Sequence, residues 1–167
     1  MDAGMQAPQL PPDEDTRIAE LRSLLILDTP PEERFDNLTR LAAGFFRVPI
    51  ALVSLVDSER QWFKSACGLN ASETARDISF CGHAILGDEV MVVEDALADP
   101  RFADNPLVTD APHIRFYAGA PLTSSKGHKL GTLCLIGDRP RHLAAEEMQM
   151  LKDLARLVVV ELERDPA

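Results

Sequence analysis

The sequence has few cationic side chains and no long apolar run. Its 17 Lys and Arg residues stand against 27 Asp and Glu, a formal net charge of −10. Surfaces that bind nucleic acid or anionic membranes are rich in Lys and Arg, so neither is an expected partner. No stretch approaches the roughly 18 consecutive apolar residues of a membrane helix. The composition therefore predicts a protein that binds neither nucleic acid nor a membrane.

Cysteine is also scarce, and its number is odd. Three cysteines in a chain that lacks the hydrophobic stretch of an export signal predict reduced thiols and a cytoplasmic location. Residues 1–15 are rich in Pro and acidic side chains and nearly devoid of large apolar ones, which predicts a disordered leader. The rest is long enough for one core, so we predict a single domain over residues 16–164 and a tail over 165–167.

The two ends of the domain show helical periodicity. The first helix is predicted from Thr16 to near Asp28, with Ile18, Leu21 and Leu25 on its apolar face. A second helix follows Pro31, because proline fits the first turn. Its predicted core face is Phe35, Leu38, Leu41, Ala42 and Phe45.

Between the terminal helices the pattern favours strands. A hairpin is predicted over residues 48–67, with Ile50, Leu52, Ser54 and Val56 on one face. Further elements are an irregular stretch over 68–80, a short helix at 83–86, a strand at 90–93, a long loop over 94–112, and strands at 114–122 and 129–136. Mostly local strands framed by helices predict an antiparallel sheet in an α+β domain.

The last helix, predicted over residues 144–164, carries two apolar stripes. One consists of Met148, Leu151, Ala155, Val158 and Leu162, and the other of Met150, Leu154, Leu157 and Val160. A helix that packs one face needs only one stripe. Either the N-terminal helix covers the second stripe, or a second copy of the chain does.

Four separated stretches resemble the motifs of a known family. They are SFCGHAI at 79–85, DPRFADNP at 99–106, RFYAGAPL at 115–122 and GTLCLI at 131–136. In this order and spacing they resemble the GAF domain, in the subgroup found at the N-terminus of bacterial sensor histidine kinases and diguanylate cyclases. The resemblance covers nearly the whole ordered chain.

The resemblance implies a GAF/PAS-like antiparallel sheet of five or six strands. The terminal helices would cover one face, and short helices and loops with a ligand pocket the other. It implies a sensory module that binds a small molecule of unspecified identity, with no cofactor specified, and relays the signal to a kinase or cyclase effector. It also implies a homodimer formed through the terminal helices.

The predicted pocket lies between the sheet and the loop from Asp95 to Pro112. Four aromatic residues are its expected walls: Phe80, Phe102, Phe116 and Tyr117. Four polar residues are its expected orienting groups: His83, Asp95, Arg101 and Arg115. The structural alternative is that the aromatic residues are core and that Arg101 only holds the loop through Asp99 or Asp104.

Cys81 and Cys134 are the remaining candidates. With His83 they could hold a metal if all three converged, but the ligand set is incomplete. A redox role is the stronger hypothesis, since a thiol at a helix N-terminus can have a lowered pKa, with Cys134 or Cys67 as its partner. The alternative is that the cysteines are packed, inert thiols.

No sequence motif indicates catalysis. The chain lacks a Gly-rich phosphate-binding loop, a nucleophile elbow and a paired-carboxylate site, so we predict that it is not an enzyme. Two alternatives stay open: a scaffold that only dimerises, and a thiol enzyme similar to the free methionine sulfoxide reductases, which share the GAF fold.

Overall fold

The structure, a computed structural model, describes residues 5–164, so the first four residues of the predicted leader and the tail at 165–167 lie outside the described residues. The helices are α1 (Glu14–Ser23), α2 (Glu33–Phe46), α3 (Phe80–Ala84), α4 (Pro106–Thr109) and α5 (Ala145–Glu163), with short 3₁₀ turns at Arg76–Ile78 and Ala96–Ala98. The strands are β1 (Ile50–Val56), β2 (Arg60–Cys67), β3 (Glu73–Ala75), β4 (Met91–Val93), β5 (Phe116–Thr123) and β6 (Lys129–Gly137).

The six strands form one antiparallel sheet in the order β3-β2-β1-β6-β5-β4. This confirms the predicted α+β class and the antiparallel sheet. The edge strand β3 was predicted as part of an irregular stretch. It has only three residues and no apolar alternation, so its pairing with β2 could not be seen in the sequence.

The central strand β1 is buried along its whole length. Its residues alternate between the two faces of the sheet. Ala51, Val53 and Leu55 face the layer of helices, whereas Leu52 and Val56 face the short helices and loops. The face predicted for this strand is confirmed for Ile50, Leu52 and Val56, which share one apolar cluster, whereas the residues between them belong to the other.

Helices α2 and α5 pack side by side on one face of the sheet. They run antiparallel, because Arg34 of α2 reaches Glu161 near the end of α5, while Arg141, just before α5, donates to the carbonyl of Phe46. Helix α5 starts without a side-chain cap at Ala144. The carboxylate of Glu147 accepts the Ala144 backbone N–H instead, at 2.9 Å.

Three residues predicted in the core lie at the surface. Leu25 is 78% exposed, because α1 ends at Ser23 and the chain turns through a positive φ of 55° at Leu25. Leu41 and Phe45 are 60% and 58% exposed, since the buried face of α2 is rotated toward Thr39 and Phe46. On α2, Phe35, Leu38 and Ala42 are buried as predicted, and only Leu41 and Phe45 were assigned wrongly.

The two stripes of α5 have different environments. The first is largely buried, through Leu151, Ala155, Val158 and Leu162. In the second, Leu157 and Val160 are 52% and 56% exposed. Helix α1 packs against β6, so the N-terminal helix does not cover this stripe.

Gln6 and Pro8, which belong to the predicted leader, lie against α3. The backbone N–H of Gln6 donates to the carbonyl of Arg101 at 3.2 Å, and the carbonyl of Gln6 lies 3.0 Å from Nε2 of His83. A Cβ on Gly82 would lie 2.7 Å from Pro8, so this approach requires a glycine there. The limits of the domain at 16 and 164 remain a prediction.

Candidate functional site

A cavity of about 390 Å³ lies on the face of the sheet opposite α2 and α5. Its floor is formed by strands β1, β2, β5 and β6, and its sides by α3 and by the loops around residues 69–74 and 107–114. The residues that line it are Leu52, Gln61, Phe63, Leu69, Asn70, Ala71, Thr74, Phe80, Cys81, Leu107, Ala111, Pro112, Ile114, Tyr117, Cys134 and Ile136. Its size is that of a small-molecule pocket.

Two thiols and two hydroxyls meet at the inner wall of the cavity. The Sγ of Cys81 lies 3.0 Å from Oγ1 of Thr132 and 4.0 Å from Sγ of Cys134, and the Tyr117 hydroxyl donates to it at 3.2 Å. A Cβ at residue 119 would lie 2.2 Å from this hydroxyl, so Gly119 leaves the room it occupies. Helix α3 and strands β5 and β6 thus bring four reactive or polar groups together.

This cluster shifts the pKa of its members in opposite directions. Burial raises the pKa of the Cys81 thiol, but hydrogen bonds from Cys134, Thr132 and Tyr117 outweigh it and lower the pKa to about 7. The hydrogen bond to Cys81 and burial raise the pKa of Cys134, and burial first of all raises that of Tyr117. Cys81 is therefore the group that ionises first, with Cys134 and Tyr117 as its donors.

A second polar side chain, Gln61 at the β1–β2 side, has a hydrogen-bond partner at each end of its amide. The amide of Gln61 accepts from Ser54 at 3.1 Å and donates to Thr74 at 2.6 Å. Among residues 5–164, no buried side-chain nitrogen or oxygen lacks a hydrogen-bond partner. The polar atoms of the wall therefore pair mainly with one another.

Four of the ten predicted site residues line the cavity: Phe80, Cys81, Tyr117 and Cys134. Phe102 lies behind the wall, stacked on Phe80 with 4.0 Å between ring centroids. Phe116 lies in the core on the helix side, because it is adjacent to Tyr117 on β5 and so points to the opposite face.

The four predicted polar groups lie outside the cavity wall. Asp95 caps the turn at Ala96–Ala98, and Arg101 forms an ion pair with Asp99 at 2.8 Å. Arg115 donates to two backbone carbonyls, and His83 lies edge-on to Phe102, where burial lowers its pKa. For Arg101, the structural alternative is the one observed.

The structure offers no metal centre at the predicted cysteine pair. His83 faces the carbonyl of Gln6, away from the thiols, and within residues 5–164 no three His, Cys, Asp or Glu side chains form a metal-binding group. Sequence reasoning also missed Gln61 and Thr74, and β3, which carries Thr74, was not recognised. Leu52 could have been found, since its strand face was predicted.

Comparison with known proteins agrees with this architecture. The family model described as "GAF domain" matches residues 30–162. The chain belongs to the GAF domain family. The family prediction made from the four motifs is thereby confirmed. No helix among the described residues of this GAF domain is long and apolar enough to span a bilayer.

Two solved structures with this fold illustrate its range. The GAF domain of an Acinetobacter phosphoenolpyruvate-protein phosphotransferase has a TM-score of 0.65 and 16% identity, covering 88% of this chain and 92% of that one. A free methionine-R-sulfoxide reductase from Neisseria meningitidis has a TM-score of 0.63 and 17% identity, covering 95% and 96%. At such identities the likeness shows the fold alone.

A curated relative is much closer in sequence. A cyclic di-GMP phosphodiesterase from Pseudomonas aeruginosa is 45% identical over 159 residues, which cover 95% of this chain and 27% of the relative. The chain thus spans about a quarter of that protein. The prediction that this GAF domain protein is not an enzyme is wrong by this comparison, because the relative is named as one.

Proposed function

We propose that this GAF domain is a cytosolic regulatory module that binds a small molecule and controls the activity of a linked phosphodiesterase domain. The observation that carries the proposal is the cavity of about 390 Å³ on the sheet face away from the long helices. The close relationship to a part of a cyclic di-GMP phosphodiesterase supports the choice of effector.

A chain of contacts between the cavity and α1 supports a relay. Ser79 caps α3, which carries Phe80 and Cys81, and its hydroxyl donates to the carbonyl of Arg76 at 2.7 Å. The guanidinium of Arg76 in turn binds Glu14 of α1 at 2.6 Å. A ligand that moves α3 would therefore act on α1. It can shift the equilibrium only by its difference in affinity for the two arrangements.

A chimera tests this function. The corresponding quarter of the Pseudomonas relative is replaced by this chain, and hydrolysis of cyclic di-GMP is measured. Leu107→Trp places a large ring in the cavity from its half-buried wall position on α4. We expect it to change the hydrolysis rate of the chimera several-fold, because the occupied and empty domains should differ in their effect on the effector.

Leu97→Trp is the matched control. Leu97 is an exposed leucine on a short helical turn outside the cavity. Its substitution should leave the rate of the chimera unchanged. Equal rates for both variants in a folded chimera would overturn the proposed control of the effector.

We further propose a homodimer formed through α2 and α5. The exposed Leu41 and Phe45 on α2 and Leu157 and Val160 on α5 support it, because two neighbouring helices then present apolar side chains to solvent. Leu157→Asp should convert the dimer to a monomer in light scattering, whereas Leu97→Asp should not. A wild-type chain that stays monomeric at high concentration contradicts this part.

The thiol pair supports a second candidate function, the sensing of peroxide. A peroxide would oxidise the Cys81 thiolate to a sulfenic acid and release hydroxide. The Cys134 thiol would then attack this sulfur, forming a disulfide and releasing water. The two sulfurs, 4.0 Å apart, must move closer, since an S–S bond is about 2.05 Å long.

Mass spectrometry after treatment with hydrogen peroxide tests this candidate. A peptide linking Cys81 to Cys134 is expected in the wild type and in Cys67→Ser, and it should be absent from Cys134→Ser, in which the sulfenic acid remains. Oxidation of Cys67 before Cys81 contradicts peroxide sensing, because Cys67 is half-buried on β2 and lies outside the cavity wall.

A further inference from the structure

We propose that the cavity selects an uncharged, largely apolar small molecule and rejects anions, including nucleotides. This inference rests on the proposed function, since it specifies the ligand of the same cavity. It rests on which side chains line the cavity and on the hydrogen bonds that the polar atoms of the wall already form.

The wall contains no ionisable acidic or basic side chain of the types Asp, Glu, Lys, Arg or His. Such residues are common elsewhere, because 26% of the chain is Asp, Glu, Lys or Arg. An anion that enters the cavity would lose its hydration and find no cation to replace it. Phosphate recognition normally depends on arginine or lysine. The short helix α3 begins at the wall with Phe80 and Cys81, but the Gly82 N–H of its first turn already donates to the Ser79 hydroxyl.

The two arginines that the sequence predicted as site residues are occupied elsewhere. Arg101 is paired with Asp99, and Arg115 donates to the carbonyls of Val108 and Ile114. Bringing either guanidinium into the cavity would break these contacts. Arg115 therefore holds the loop around residues 107–114, Arg101 holds the turn at Asp99, and neither places positive charge in the cavity.

The polar atoms deep in the wall are already engaged in hydrogen bonds within the protein. Gln61 has partners at both ends of its amide, and the hydroxyl of Tyr117 donates to Cys81. A polar ligand group deep in the cavity would thus have to compete with existing hydrogen bonds, at a desolvation cost. Apolar side chains, among them Leu52, Phe63 and Ile136, form most of the remaining surface.

Two polar groups of the wall keep free hydrogen-bonding capacity: the exposed amide of Asn70 at the mouth, and the half-buried hydroxyl of Thr74, which accepts from Gln61 and can still donate. Asn70 and Ala71 are exposed residues that also line the cavity. The amide of Asn70 can pair with one polar group of a ligand whose apolar body lies deeper. The site accordingly fits a molecule with an apolar body and a single polar group that points to the opening.

Two probes that share a ring system separate charge from shape. 2-Naphthol is uncharged at pH 7, whereas 2-naphthoate carries one negative charge. Isothermal titration calorimetry of this chain should detect binding of 2-naphthol, with 2-naphthoate at least about tenfold weaker because its carboxylate stays unpaired. Cyclic di-GMP, as a third probe, should show no binding that depends on the cavity.

Matched variants locate the binding and reverse the selectivity. Leu107→Trp should abolish the binding of 2-naphthol, whereas Leu97→Trp should keep it. Ala71→Arg places a cation at the mouth and should strengthen the binding of 2-naphthoate several-fold. Ser72→Arg adds the same charge at a neighbouring exposed residue outside the wall and should not.

The outcomes distinguish the ligand class from the proposed function. Cavity-dependent binding of 2-naphthoate or cyclic di-GMP that equals or exceeds that of 2-naphthol overturns the ligand class but leaves a ligand-binding regulatory domain. Failure of all three probes to bind also overturns the ligand class. The regulatory function fails separately, if Leu107→Trp and Leu97→Trp leave the chimera with equal activity.

Discussion

The two faces of the six-stranded sheet differ in how closely they are packed. On the helix side, Leu133 and Leu135 of β6 are fully buried under the layer of helices. On the other side, Cys134 and Ile136 of the same strand line a cavity of about 390 Å³. Close packing stabilises a fold, whereas unfilled volume forfeits dispersion contacts. The helix face therefore contributes more packing energy to the stability of the fold. The cavity face contributes less, because it leaves volume for a ligand.

A pair of leucine truncations is the strongest test of this difference in packing between the two faces. Leu135→Ala on the helix face should lower the free energy of unfolding by about 3–4 kcal/mol, because it opens a hole in close-packed surroundings. Leu52→Ala on the cavity face should cost about 2 kcal/mol, since part of its surface already borders empty space. Urea denaturation measures both values.

The same pair provides its own control. Both residues are almost fully buried leucines on neighbouring strands of the sheet, so they lose the same methyl groups and the same transfer free energy. Equal losses for the two variants would mean that the cavity face is packed as tightly as the helix face in solution.

A smaller effect on stability is expected from the ion pairs of Glu14, which attach α1 to the segment that precedes α3. Burial raises the pKa of Glu14, but hydrogen bonds from Arg76 and Arg17 outweigh it and lower the pKa from 4.5 to about 2. Both guanidiniums are nearly fully buried. Glu14→Gln should therefore cost about 2 kcal/mol at pH 7, because it leaves two buried cations without a carboxylate.

The pH dependence gives this prediction its sign. A carboxyl whose pKa is lowered by folding contributes stability above about pH 4.5, and this contribution is lost as the pH falls through 2. The difference between wild type and Glu14→Gln should shrink over that range. Glu33→Gln, which removes an exposed ion pair with Arg40, should leave the stability close to that of wild type at every pH, because water screens such pairs. A constant difference from pH 7 to pH 2 would contradict the role assigned to Glu14.

How much of the fold could be predicted depends on the length of each pattern. The hairpin β1–β2 and helix α5 carry long periodic patterns and were placed within a few residues. Strand β3 and helix α4 have three and four residues, too few to show a period. On α2 the predicted core positions Phe35, Leu38 and Ala42 were correct. Leu41 and Phe45 were included wrongly, because they are apolar but exposed and periodicity alone does not mark where the buried face ends.

The site was harder to predict, because it depends on which residues face each other across the fold. Phe80, Cys81, Tyr117 and Cys134 were found, since family motifs mark them. The arginines Arg101 and Arg115 belong to the same motifs, but their partners could be identified only in three dimensions. The charged residues of these motifs therefore lie outside the cavity wall, although the motifs themselves contribute residues to it.

The smallest effect on stability is expected for the Tyr117 hydroxyl, which belongs to the polar cluster around Cys81. Tyr117→Phe removes the hydroxyl that donates to Cys81 at 3.2 Å and keeps the ring that lines the cavity. The loss of one hydrogen bond should cost only about 1 kcal/mol of stability. The pKa of Cys81 should rise above its value of about 7, since one of the donors that stabilise the thiolate is gone. The rate of alkylation at Cys81 as a function of pH measures this shift, with Cys67 as an internal control whose rate should not change. An unaltered pH profile at Cys81 would mean that Thr132 and Cys134 alone stabilise the thiolate. The Tyr117 hydroxyl would then contribute nothing to the low pKa of Cys81.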